Sequence, residues 1–522
     1  MQPIVYLGRG LAVLGLVVPC AAAYAGDQPQ WGEKHSHNMV SREKGLPEWF
    51  DPGQAGPDGN IDLGTARNVK WVARLGNQTH GTPVVAEGRV LVGTNNEVPR
   101  DPRIKDDRGV LMCFDEATGK LLWQLNVPKL VEHKFSDWQY IGLCASPVVE
   151  NGRVYVVTNR CEVLCLDLKG MADGNQGPYT DEGRHMAAAG QPAVEPGPAD
   201  ADVLWVYDMF AELGSRPHNA SNCSVLLAGD LVYVCTSNGT DWEHLRVANP
   251  AAPTLVVLHK KTGKLVAKDD FRIGPDIIHG QWSSPTLGRV GGRDLVFQGA
   301  GNGCVYAVEA LEPAASPKEP LRLNTVWKFN GQPEAQLQDH VPLEHIHDSH
   351  SYEVTSNPVF YKNRLYVPIH QEPFHNMKEG WMVCLDAART GDVTRTGIVW
   401  SYKMGSMTAT PAIHDGLVYL PDFWGKLHCF DAETGKVHWV HDAGPKVSGS
   451  PLVADGKLYL GTVGRPTLWV MALGRQARVI SQIRMRNEVY TTPVAANGVL
   501  YVATWRHLYA IADKQDRPPR AK

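Results

Sequence analysis

One short phrase recurs eight times along this chain, and few folds can accommodate it. It reads small residue, then a residue ahead of Pro or an apolar substitute, then a branched pair. The copies are GTPVV at Gly81, ASPVV at Ala145, CSVLL at Cys223, SSPTL at Ser283, SNPVF at Ser356, ATPAI at Ala409, GSPLV at Gly449 and TTPVA at Thr491. A turn with Gly, Asp or Asn follows each copy, then a β-branched and aromatic run such as GRVYVVT or DGKLYLGT. Alternating strands joined by tight turns have this signature. A third run (LMCFD, VLCLD, LVVLH, CVYAV, MVCLD, LHCFD, LWVMA, LYAIA) and a fourth that often ends on an aromatic complete each unit. Where copies run cleanly they are about 40 residues apart, the length four short strands need. In FDEATGKLLW and FDAETGKVHW the Thr-Gly step makes the last turn, and the tryptophan falls on the outermost strand.

Eight inner strands require eight outer ones, yet nothing after Asp513 resembles a fourth strand. The missing piece is NVKWVARL, Asn68 to Leu75, ahead of the first copy. Pairing it with the last unit removes both open edges. The expected fold is therefore all-β: an eight-bladed propeller of four-stranded antiparallel blades over residues 68–513, closed by its own N-terminal strand. Residues 26–67 form an extension before it and 514–522 a tail.

Residues 1–25 read as a cleaved export signal: Arg9, an apolar core from Leu11 to Val18, and the small–x–small site Ala23-Tyr24-Ala25. That core is too short to span a bilayer, and no later segment is apolar enough to do so. The rival reading is a lipid anchor at Cys20, which Pro19 and Val17-Val18 suit badly. A periplasmic location follows. The net charge of -4, with no basic run, argues against a nucleic-acid partner. Nine cysteines remain after cleavage. Cys113, Cys165, Cys384 and Cys429 occupy one slot in different repeats and read as core thiols; Cys161 and Cys165 are the one local pair that could bridge.

With DEATGKLLW and DAETGKVHW joined to the SPVV…GRVYV rhythm, the chain resembles the pyrroloquinoline-quinone-type (PQQ-like) propeller repeat family. The opening PQW, Pro29 to Trp31, also looks like periplasmic members from planctomycete-type bacteria. The resemblance implies eight blades with tryptophan docking between them. The family includes quinoprotein dehydrogenases and the non-catalytic outer-membrane assembly lipoprotein of the BamB type. Quinoprotein alcohol dehydrogenases of that family carry adjacent cysteines over the cofactor, and their haem-bearing relatives carry Cys-x-x-Cys-His. This chain has neither.

In a propeller the loops entering the innermost strand share a face with those joining strands two and three. Long insertions fall on that face in the first five blades, and they are rich in histidine, including His133, His244 and His340. EHIHDSH (Glu344 to His350) and HQEPFH (His370 to His375) offer a transition-metal site from His345, His347, His350, His370 and His375. A cofactor-binding set is expected from HGQWSS (His279, Gln281, Trp282), from RPHNASN (Arg216, His218, Asn219) and from His80. In it Trp282 stacks on a flat ligand and Arg216 pairs carboxylates of an anionic quinone such as PQQ, which comes with calcium. Trp138, Tyr352 and Arg486 are placed at the same mouth by repeat position. The Gly/Pro/Ala-rich insertion from Lys169 to Ala201 reads as a mobile loop.

The leading functional reading is a binding or scaffold propeller with its ligand site at the channel mouth. Its partner is a periplasmic protein or a small molecule. A PQQ-dependent dehydrogenase and a histidine-based metal site on the same face are the alternatives.

Overall fold

A computed structural model describes residues 26–130, 136–312, 317–332 and 351–513. Eight antiparallel sheets surround one axis. Their innermost strands are Val84–Ala86, Val148–Glu150, Leu226–Ala228, Thr286–Val290, Val359–Tyr361, Ala412–His414, Leu452–Ala454 and Val494–Ala496, defining blades one to eight. Each follows a copy of the repeated phrase. Blade eight takes its outer strand from the front of the chain: Val69–Arg74 pairs antiparallel with His507–Ile511, Trp71 opposite Ala510. The fold is thus an eight-bladed β-propeller closed as expected.

Tryptophan couples the blades. Trp71 Nε1 donates to Glu116 O in blade one at 2.9 Å, and Trp123 to Leu168 O in blade two at 2.9 Å. Trp205, Trp327, Trp400 and Trp439 donate to Lys260, Ala387, Ala432 and Gly474 carbonyls in the same sense. Opposite these six rings on the third strand stand only small residues: Ala510, Cys113, Cys165, Ala307, Cys384 and Cys429. A larger side chain there would compete with the indole for space, so the recurring cysteine is a spacer. Gly119, at φ +70°, lies flat against Trp71, where a Cβ would come within 2.5 Å of the ring. All nine described cysteines are reduced, and Cys161 donates its thiol to Thr236 O in the next blade rather than bridging to Cys165.

The residue before Pro in the repeated phrase also has a structural task. Ser224 N donates to Ser284 Oγ, Ser284 N to Asn357 Oδ1, and Asn357 N to Thr410 Oγ1. Thr410 N then donates to Ser450 Oγ, Ser450 N to Thr492 Oγ1, and Thr492 N to Thr82 Oγ1. This polar belt links neighbouring inner strands around the channel. It satisfies backbone donors that have no strand beyond them.

Below the belt the extension fills the axis. Val85 N donates to Gln28 O, Val149 N to Pro29 O, Leu287 N to His35 O and Val453 N to Met39 O. Val40–Ser41 pairs parallel with Leu452–Ala454. Asn38 exchanges two 2.8 Å bonds with the Ile413 backbone. Trp31 Nε1 reaches Thr492 Oγ1 at 3.3 Å, and His37 bridges Trp31 O and Pro285 O. The channel is therefore plugged at one end.

The insertion from Lys169 to Ala201 is packed rather than loose. Gln124 N donates to Ala199 O and Ala201 N to Gln124 O on blade one's outer edge. The buried His185 sits 3.0 Å from Glu162. Its Gly/Pro/Ala-rich composition hid these anchors.

Trp71→Ala removes the ring-closing indole and leaves the Glu116 carbonyl without its donor. We expect about 3–5 kcal/mol of lost stability in urea unfolding, against under about 0.5 kcal/mol for substitution of an exposed residue such as Lys436.

Candidate functional site

The plug turns the channel into a cup. Its cavity of about 1380 Å³ is floored by Trp31, ringed by the belt, and walled by the inserted loops. Aromatic faces line it: Trp138 stacked on Trp242 at 4.5 Å, Tyr490 on Trp505 at 5.2 Å, and Trp282 edge-on to His279 at 4.9 Å. Trp282 is fixed by its Nε1, which donates to Ala220 O. Phe374 stands 63% exposed in the same lining.

Polar side chains cluster at blades three to five. The rings of His218, His244 and His279 have centroids 4.3 to 4.6 Å apart. His375 approaches His244 at 4.9 Å. His218 is 1% exposed; its Nδ1 bonds Thr240 O at 3.0 Å, while its buried Nε2 has no hydrogen-bond partner. Burial first, and His279 second, lower its pKa to about 4, so it is neutral at pH 7. Glu372 Oε2 lies 3.3 Å from His279 Nδ1. Burial acts against the ionised form of Glu372, but the His279 bond and charge outweigh it and hold this carboxyl below the usual range. Beside it, burial and the Glu372 charge drive Glu353 well above that range, so Glu353 keeps its proton. Donor atoms of His218, His244 and His279 lie within 4.8 Å of one another, as do those of His279, Glu353 and Glu372.

The structure brings His80, His218, Asn219, His279, Trp282, Trp138 and His375 to the cup. Others lie off it. The Arg216 guanidinium packs on Phe210 and donates to Phe210 O and Ser215 O. Gln281 is fully buried, donating to Asn238 O. Tyr352 donates to Glu379, and Arg486 to Gly53 O in the extension. His370 ends a strand with Nε2 against Thr355 Oγ1 and Nδ1 against Gln371 O. His345, His347 and His350 lie outside the described residues, as do His133 and His340. The metal set expected from the sequence omits His218, His244, His279 and both carboxylates, which reach the cup from different loops; of that set only His375 is among the described lining residues.

PQQ carries three carboxylates, so its fit depends on cations. Among the described lining residues there is no Lys or Arg, while Glu243, Glu353 and Glu372 are present. The described lining thus supplies no side-chain cation to pair those carboxylates.

A family model described as "Outer membrane protein assembly factor BamB" matches residues 61–316 and 378–480. The quinohemoprotein alcohol dehydrogenase of Comamonas testosteroni is 34% identical over 61 residues, 11% of this chain and 9% of that protein. The dehydrogenase subunit of the Gluconobacter oxydans (strain 621H) quinone-linked alcohol dehydrogenase is 32% identical over 96 residues, 15% of this chain and 12% of that protein. The chain thus spans about a tenth of the length of the curated relatives it matches. Among solved structures, the Comamonas enzyme superposes with a TM-score of 0.58 at 13% identity, covering 96% of this chain and 83% of that one. BamB from Moraxella catarrhalis gives 0.50 at 14%, covering 86% and 98%. At such identities the likeness is one of fold.

His80 stacks edge-on against Tyr490, and burial lowers its pKa to about 4. Between about pH 6.5 and 4 the unfolded chain binds this proton and the folded one does not, so stability falls as pH falls through that window. Replacing His80 with Gln should flatten the drop in melting temperature between pH 6.5 and 4.5, recovering about 1–2 kcal/mol at the acid end.

Proposed function

The chain belongs to the PQQ-like repeat family described as outer membrane protein assembly factor BamB, and on that premise we propose that it is an exported binding propeller. Its site is the plugged cup at the channel mouth, and its ligand a neutral, polyhydroxylated small molecule of the sugar type. The observation that carries this reading is the lining. A belt of Ser, Thr and Asn side chains meets several Trp faces, without a single Lys or Arg among the described lining residues. Hydroxyls and amides match a neutral polyol by hydrogen bonding, and indole faces cover its apolar C–H surface.

Export to the periplasm is supported by the local geometry at Gly26. Its N lies 2.7 Å from Glu43 Oε1, and Gly498 N donates to Glu43 Oε2. Cleavage after Ala25 would convert Gly26 N into an ammonium group against a buried carboxylate, anchoring the plug. N-terminal sequencing of the periplasmic protein should begin at Gly26.

Dehydrogenase chemistry is the alternative that the relatives' names carry. Adding PQQ and calcium to the purified protein should yield no stoichiometric quinone absorbance and no dye-linked alcohol oxidation.

The binding reading is tested by tryptophan fluorescence against a panel of mono- and oligosaccharides. Saturable quenching is expected for at least one. Trp282→Ala and Trp138→Ala should each weaken it roughly two- to tenfold. A panel without any saturable response, or variants indistinguishable from the parent, would count against a sugar ligand.

A further inference from the structure

Three imidazoles meet in the wall of the cup from three separate loops. His218 lies ahead of blade three's inner strand, His244 between that blade's second and third strands, and His279 ahead of blade four's inner strand. Their ring centroids stand 4.3 to 4.6 Å apart, and one donor atom from each falls within 4.8 Å of the others. Protonated rings this close would repel one another. Among them His218 keeps its Nε2 buried without a hydrogen-bond partner.

The surroundings suit a cation. Thr240 O takes the Nδ1 side of His218 at 3.0 Å, which fixes the tautomer that leaves Nε2 with its lone pair free to coordinate. Glu372 lies against His279 Nδ1 at 3.3 Å, the carboxylate–histidine pairing that orients an imidazole ligand and strengthens it as a donor. Nitrogen donors about 2.1 Å from a tetrahedral ion lie about 3.4 Å apart. Small rotations of rings already within 4.8 Å of one another reach that spacing.

We propose that His218, His244 and His279 bind one divalent late transition-metal ion, Zn(II) being the reference case, with Glu372 as the positioning carboxylate. Imidazole donors select this class over calcium and magnesium, which take oxygen ligands. All four residues line the cavity, so the fourth coordination position opens into the cup. Three protein ligands with one open position are the arrangement of a reactive or ligand-binding centre, not of a closed structural one. A hydroxyl or carbonyl oxygen of a molecule in the cup is the donor that this position accepts. Metal binding itself needs the fold but no cup ligand, so this inference and the sugar-binding reading can fail separately.

The test uses the full exported protein, stripped with a chelator and titrated with Co(II) and then Zn(II). One equivalent of Co(II) should give tetrahedral visible absorption bands that Zn(II) abolishes. X-ray absorption of the zinc form should count three imidazole ligands. His218→Ala and His279→Ala should each weaken binding at least about a hundredfold, and Glu372→Gln about tenfold. His414→Ala, an exposed site on blade six, should change nothing. Circular dichroism and melting curves establish that the variants are folded; should one not fold, the ligand count on the unaltered protein decides. Binding below about a fifth of an equivalent would overturn the assignment. So would an all-oxygen or thiolate shell, or loss of the ion only on replacing His345, His347 and His350.

Discussion

In a propeller the innermost strand of each blade has a sheet neighbour on one side only, the other side facing the axis. Eight such edges face a common axis, each with backbone donors and acceptors that cannot stay buried and unpaired. Two devices meet this requirement. At the upper level the side chain before Pro bonds the backbone of the adjacent inner strand, producing the belt from Ser224 round to Thr82. At the lower level the N-terminal extension supplies carbonyls and amides to Val85, Val149, Leu287, Ile413 and Val453. The space above the extension, within the belt and the inserted loops, is the cup. Its floor and its belt of hydroxyl and amide side chains follow from how those edges are satisfied.

The outer side of each blade faces a different problem, that of holding rigid sheets in register around a circle. Here indole rings bridge neighbours by one hydrogen bond and a broad apolar face, over a third-strand position kept small. Blades three and seven lack the tryptophan. Tyr233 of blade three accepts from Leu311 N in blade four, and the equivalent Tyr366 and Tyr419 reach Ala432 O and Gly474 N beside the tryptophans of blades five and six.

Much of the architecture was legible because repetition makes a pattern visible eight times over. The ring closure could be read from a surplus strand before the first repeat and a deficit after the last. The cysteine slot was legible as a small buried position, though its partner, the tryptophan directly across, needed the register. The plug was not legible: residues 26–43 carry no periodicity, since each contacts a different blade. The cup's chemistry was visible only in part. His218, His279 and Trp282 were placed at the mouth by repeat position and line the cup, whereas Tyr352 and Arg486, placed there by the same reasoning, turn to Glu379 and to Gly53 O. That reasoning could not see that Arg216 turns onto Phe210, because side-chain direction in a loop depends on neighbours remote in sequence. Nor could it pair His244 with His218 and His279, since local spacing reveals ligand sets only when one short segment supplies them.

Chain order adds a constraint of its own. Gly26 rests against Asn497 and Glu43 against Gly498, while Trp71 lies across from Ala510. Gly26, Glu43 and the strand at Val69–Arg74 thus find these partners only once blade eight exists. All seven preceding blades lie between them in the chain. Assembly therefore depends on contacts remote in sequence, the kind whose loop-closure entropy slows folding. The same dependence makes the finished floor a record that the last blade has arrived.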